Sequence, residues 1–257
     1  MIRRFRRIAR LLSVATGPVI LFGCATRPIG LVIATPEGSI SGQAGRRGLV
    51  VAAPHGTSDV RTGDIAVEIA RRTGFGLVVA TGFALEGDTR TRVGRRYQVN
   101  RPWEGVPGRP PSEEVATEGA RRVYEAFERR VREVAQGALL FYAEIHGNTH
   151  RDAASRIEIA TVGIDRDDAQ RLRMLLELIR DAHLRGSDGA PRLDILVEPA
   201  DTLRYAASGA KRDGILRLPR HALHVELPRA ARDEWRAIYT AVLADFLGQA
   251  AGLLGVR

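Results

Sequence analysis

Short apolar runs separated by amphipathic stretches constrain this fold more than any other feature. From Leu49 onward, Leu49–Ala53, Gly76–Gly82, Ala138–Ile145, Arg156–Val162, Leu193–Glu198 and Ala222–Leu227 read as buried strands. Between and after them, Asp64–Arg72, Glu113–Ala135, Arg166–Leu184 and Arg229–Leu254 read as helices, with Ser112 and Asp165 as N-caps. Strands that are apolar throughout belong in a sheet covered on both faces. Their alternation with helices predicts one α/β domain over 48–257.

The remaining chain divides differently. Residues 24–47, with Pro28, Pro36 and scattered glycines, read as a tether, with an edge strand conceivable at Ile29–Ala34. Residues 1–23 carry five arginines within the first ten positions, then a short apolar stretch containing Gly17 and Pro18. A charged segment followed by so short an apolar one is a secretory signal. Its Leu21-Phe22-Gly23-Cys24 ending resembles a bacterial lipoprotein signal. The resemblance implies acylation of Cys24 and a protein held on the cell envelope, with Ala25 favouring the outer membrane, facing the periplasm. A plain secretory signal with an incidental cysteine is the alternative.

Composition removes other classes. The formal charge is +9, but it falls to +4 without the first 23 residues, and aromatics make up 5%. Arginines interleaved with acids, with few rings for stacking, argue against a nucleic-acid partner. A single cysteine excludes an internal disulfide and any multi-cysteine zinc module.

Chemistry concentrates at strand ends. Leu49–Ala53 runs into His55-Gly56, with Asp59 and Asp64 beyond; Leu139–Ile145 runs into His146-Gly147, with Asn148 and His150 behind; Leu223–Leu227 carries His224 and Glu226. Sites in open α/β sheets form at the carboxyl ends of strands. Two histidines and a carboxylate there suit a catalytic zinc, which keeps one position open, with a further carboxylate as base. Asp59 and Asp64 compete as the acidic ligand, and His146 and His150 as the second histidine. Glu226 stands out because an unpaired carboxylate in an apolar strand costs several kcal/mol; pairing with an arginine is the bland alternative. His224 shares its face by strand alternation, and Glu144 stands in the same relation to His146, where it could orient the imidazole.

In order, Pro54-His55-Gly56, Asn100-Arg101, Glu144-x-His146 and Val225-Glu226-Leu227 resemble the N-formylglutamate amidohydrolase family and the related poly-γ-glutamate hydrolases and zinc carboxypeptidases. The resemblance spans about 50–228. It implies a single-domain phosphorylase/hydrolase-like α/β fold with a mixed sheet, one Zn2+ ion, and hydrolysis of an amide near a carboxylate. It also implies His55, an acid soon after it (Asp59) and His146 as ligands. Glu226 would be the base, Arg96 the oxyanion stabiliser, and Asn100 with Arg101 the holder of the substrate carboxylate. Ser58 stands where carboxypeptidases carry Glu, and Gln98 where the formylglutamate family carries Asp. Within the class of small anionic amides (N-acyl amino acid, peptide or γ-glutamyl type), a peptide, peptidoglycan fragment or γ-glutamyl amide is therefore expected in preference to formylglutamate. The rivals are a non-catalytic ligand-binding lipoprotein of the same fold, and a metal-free hydrolase using Ser58 and His55. The loop Ala200–Gly214, with Tyr205 and Lys211, is either a cover for substrate or a plain surface connection.

Overall fold

The computed structural model describes residues 33–35, 37–83, 97–106 and 113–256. Its first half contains strands β1 (Ile33–Thr35), β2 (Gly38–Gln43) and β3 (Arg46–Ala53), helix α1 (Thr62–Thr73) and strand β4 (Phe75–Thr81). Two-residue strands β5 (Glu104–Gly105) and β6 (Glu114–Val115) precede helix α2 (Glu118–Ala135). Then come β7 (Phe141–Gly147), β8 (Arg156–Val162), α3 (Arg166–Leu184), β9 (Asp194–Val197) and α4 (Ser208–Asp213). Finally β10 (His221–Leu227), α5 (Arg229–Arg232) and α6 (Arg236–Leu253) close the chain.

Eight strands form one mixed sheet in the order β1-β2-β4-β3-β7-β10-β8-β9. The central strands β4, β3, β7 and β10 are mutually parallel, and β2 and β8 flank them antiparallel. Side-chain alternation splits the core in two. Leu49, Val51, Ile145 and Val225 face α1, α3 and α6, whereas Val50, Ala52, Val78 and Tyr142 face α2. Both faces are covered, as the uniformly apolar strands require. Each large side chain fully buried here, such as Ile69 or Phe127, contributes roughly 1.5–3 kcal/mol.

This topology also makes the crevice. From β3 the chain passes through α1 to β4 on one side; from β4 it returns through α2, on the opposite face, to β7 on the other side. The connections diverge at the carboxyl ends of β3 and β7, which leaves an opening at that point.

Three boundaries differ from expectation. Residues 38–47, expected as tether, form β2 and the start of β3: Ile40 is buried against the α2 face, and Ser39 Oγ lies 2.9 Å from Thr81 Oγ1. The helix expected from Glu113 begins at Glu118, because Thr117 Oγ1 accepts the Ala120 N–H at 3.0 Å and Glu114–Val115 pair with Glu104–Gly105; Ser112 lies outside the described residues. The closing helix is broken at Asp233, whose φ of −113° and ψ of −95° leave helical space. Asp165 caps α3 as expected, accepting the Asp168 N–H at 2.8 Å. No helix among the described residues is long and apolar enough to cross a membrane.

Candidate metal centre

Each strand ending at the crevice delivers its side chain by a local device. After β3 the chain turns sharply at Gly56, where a Cβ would come within 2.9 Å of the Ala80 carbonyl oxygen. The Asp59 N–H bonds the His55 carbonyl at 2.8 Å, one helical turn that carries Asp59 back beneath His55. Thr62 Oγ1 holds the Asp59 carbonyl at 2.8 Å. His146 lies on β7, level with Glu226 of β10, and Glu144 lies level with His224. Residues 144, 146, 224 and 226 thus share the α2 face near the carboxyl ends of the strands.

His55 Nδ1 and His146 Nδ1 are 3.1 Å apart. Asp59 Oδ2 lies 3.4 Å from the first and 3.6 Å from the second. All three side chains are buried. A tetrahedral zinc with bonds of about 2.0–2.2 Å needs ligand atoms about 3.3–3.6 Å apart, so the triangle fits one such ion. Tautomers agree with this. His55 Nε2 lies 2.8 Å from the Gln98 carbonyl oxygen, an acceptor that fixes the proton there and leaves the Nδ1 lone pair for a cation. Asp59 Oδ2 also accepts the Gly147 N–H at 3.1 Å.

A second layer of charge lies behind the triangle. Glu144 Oε1 is 3.2 Å from His146 Nε2, within ion-pair range but off the hydrogen-bonding direction. The same oxygen is 2.6 Å from His224 Nδ1 and accepts Asn100 Nδ2 at 3.1 Å, while Oε2 accepts the Tyr142 hydroxyl at 3.2 Å. His224 stacks on His146, with ring centroids 4.1 Å apart, and its Nε2 is 3.1 Å from Glu226 Oε1. Glu226 Oε2 is buried without a protein hydrogen-bond partner among the described residues.

Burial opposes the charges of Glu144, Glu226 and His146, and their partners outweigh it. Burial by itself would raise the Glu144 pKa, but His146 and His224 hold it well below the usual carboxylate range. Glu226 is likewise lowered by His224 and His146 against burial. His146 is pushed up to about 9, because Glu144 and Asp59 overcome a burial effect of opposite sign. A buried anionic cluster of this kind favours a cation.

The structure separates the competing residues. Asp64 is exposed and pairs with Arg61 and Arg236, so Asp59 is the acid that meets the histidines. His150 is half exposed beside Arg204 and Asp152, away from the triangle. Asn100 is fully buried and links Glu144 to Arg101, whose Nη1 bonds Asn100 Oδ1 at 3.3 Å. Arg101 also grips Glu114 through Nε at 3.0 Å and Nη2 at 2.5 Å. In this conformation its fork is turned to a protein carboxylate. In the 200–214 loop Lys211 pairs with Glu198, and the Arg204 and Tyr205 N–H groups both bond the buried Glu158 at 2.9 Å. Arg96 and Cys24 lie outside the described residues. Sequence reasoning missed the Gln98 carbonyl and the Gly147 N–H, because backbone groups carry no residue signature.

No protein-family model matches the chain, and no curated protein matches it. Among solved structures, a bacteriophage poly-gamma-glutamate hydrolase aligns with a TM-score of 0.48 at 13% identity, over 86% of this chain and 90% of that one. A gene product of Agrobacterium tumefaciens aligns with a TM-score of 0.47 at 16% identity, over 84% and 94%. A metallo-carboxypeptidase of Burkholderia cenocepacia aligns with a TM-score of 0.44 at 11% identity, over 88% of this chain and 64% of that one.

Proposed function

We propose that this protein is a metal-dependent amide hydrolase acting on a small substrate that carries a carboxylate near the scissile bond. The observation that carries the reading is the buried convergence of His55 Nδ1, His146 Nδ1 and Asp59 Oδ2 at 3.1–3.6 Å, with Glu226 on the neighbouring strand. Two imidazoles and one carboxylate form the donor set of a catalytic zinc, and the oxyphilic cations would want more oxygens. When bound, that ion supplies a Lewis acid that polarises the amide carbonyl and acidifies water.

The protein groups do the rest. Glu226 is ionised, and its Oε1 is steadied by His224, so Oε2 is the oxygen available to take a proton from attacking water. As the C–N bond breaks, Glu226 returns that proton to the leaving amine. Asn100 braces Glu144, and Glu144 sets the orientation of His146 and His224. Arg101 is assigned to the substrate carboxylate, which then takes the place of Glu114 in its fork. Arg96 is assigned to the developing oxyanion. Attachment to the envelope through acylated Cys24 completes the reading.

Elemental analysis of protein purified without chelator, beside His55→Ala and His146→Ala, tests it. Near one zinc per chain, lost in both folded variants, supports the proposal; no metal after zinc is supplied overturns it. A binding protein of the same fold would hold zinc and an acyl-amino acid but release no amine.

A further inference from the structure

One guanidinium joins the three chain segments that carry the site. Arg232 on α5 is 5% exposed, in a helix of four residues that follows β10 directly. Its Nε donates to the Leu227 carbonyl at 3.2 Å, Nη1 to the Val60 carbonyl at 2.7 Å, and Nη2 to the Asn148 carbonyl at 2.9 Å. Val60 follows Asp59, Asn148 lies two residues after His146, and Leu227 follows Glu226. The acceptors lie 172, 84 and 5 residues away in sequence. The Asn148 N–H adds a bond to the Leu227 carbonyl at 2.9 Å. Gly147 makes room for the group: a Cβ there would stand 2.4 Å from Arg232 Cζ. Burial lowers the Arg232 pKa from its ordinary value, and the charges of Asp59 and Glu226 offset part of that effect.

We infer that Arg232 is a positioning residue, a clip that sets the spacing of Asp59, His146 and Glu226 by holding the backbone one or two residues beyond each. The inference rests on the reading of His55, Asp59 and His146 as metal ligands. Its physical basis is the planar fork, whose donors point in three fixed directions and reach three carbonyls at once. A lysine ammonium at this position would keep the charge but, with its single nitrogen, could not span the three acceptors.

The test uses the full chain with Arg232→Lys and, as a variant without donors, Arg232→Met. Zinc affinity is measured by competition with a chromogenic chelator, and imidazole nitrogen resonances are recorded on the metal-free proteins. Outer groups that orient ligands typically change metal affinity 10–100-fold, so Arg232→Lys should weaken zinc binding at least about tenfold. His55 and His146 resonances should move, while those of His183 and His221, held by Asp245 and by the Gly163 carbonyl, stay in place. Unmoved His55 and His146 resonances in folded Arg232→Lys would overturn the inference, whatever happens to melting temperature or affinity. Should Arg232→Met fail to fold, Arg232→Lys decides alone. If the parent chain binds no zinc, the metal reading fails, and the imidazole resonances still decide whether the clip exists.

Discussion

The proton on His146 offers the sharpest test of the site's electrostatics. In the metal-free protein its pKa stands near 9, against 6.5 for an ordinary histidine. A group whose pKa rises on folding stabilises the native state fully below the unfolded value and loses that contribution as pH climbs through the folded one. The window is therefore about pH 6.5–9. At 1.36 kcal/mol per pH unit the contribution is roughly 3 kcal/mol, and His146 is too deeply buried for solvent to screen much of it. The same proton competes with a cation for Nδ1, so zinc affinity should climb up to about tenfold per pH unit, or about 100-fold between pH 7 and 9. Urea denaturation with chelator present, at intervals from pH 6 to 9.5, reads the first effect; competition titrations read the second. His146→Gln should flatten the stability profile. A parent protein whose stability and zinc affinity are both flat across this window would refute the account of Glu144 and Asp59 as the groups holding that proton.

Other perturbations separate the roles further. Glu226→Gln should keep its zinc and lower kcat by about 100-fold or more; full turnover in that variant removes Glu226 as the base. Asn100→Ala, which strips a donor from the buried Glu144, should lose about 1–3 kcal/mol in chemical denaturation, and an unchanged midpoint would show that the Glu144 bond is dispensable. Glu114→Gln frees the Arg101 fork and should lower KM for acidic substrates, while Arg101→Ala raises it; equal effects on neutral substrates would remove Arg101 from carboxylate recognition. Labelled palmitate should enter the parent protein in a bacterial host and not Cys24→Ser, and labelling of both would exclude acylation at that position.

Much of this arrangement is written in local sequence. Short apolar runs mark β3, β7, β8 and β10, and which of their side chains share a face follows because alternation is a property of the extended backbone itself. The pairing of Glu144 with His146, and of His224 with Glu226, follows from the same rule. Asp59 reaches His55 because four residues make one helical turn, again a short-range matter. What local sequence could not decide was which distant groups meet. Asp59 and Asp64 are equally acidic, and His146 and His150 equally histidine; only the fold buries one of each pair. Arg101 and Arg232 are two among 39 basic residues, so neither the Glu114 partner of one nor the three carbonyls of the other had a distinguishing mark. Gly38–Gln43 is too polar to announce a strand, yet β4 supplies an antiparallel edge that completes its hydrogen bonds. Apolar runs and backbone alternation thus determined the elements and the side chains that share a face. Strand order, which sets His55 after β3 beside His146 on β7 and Glu226 on β10, decided the chemistry. It did so because the energy that selects a strand's neighbour comes from packing across the whole sheet and not from the strand's own residues.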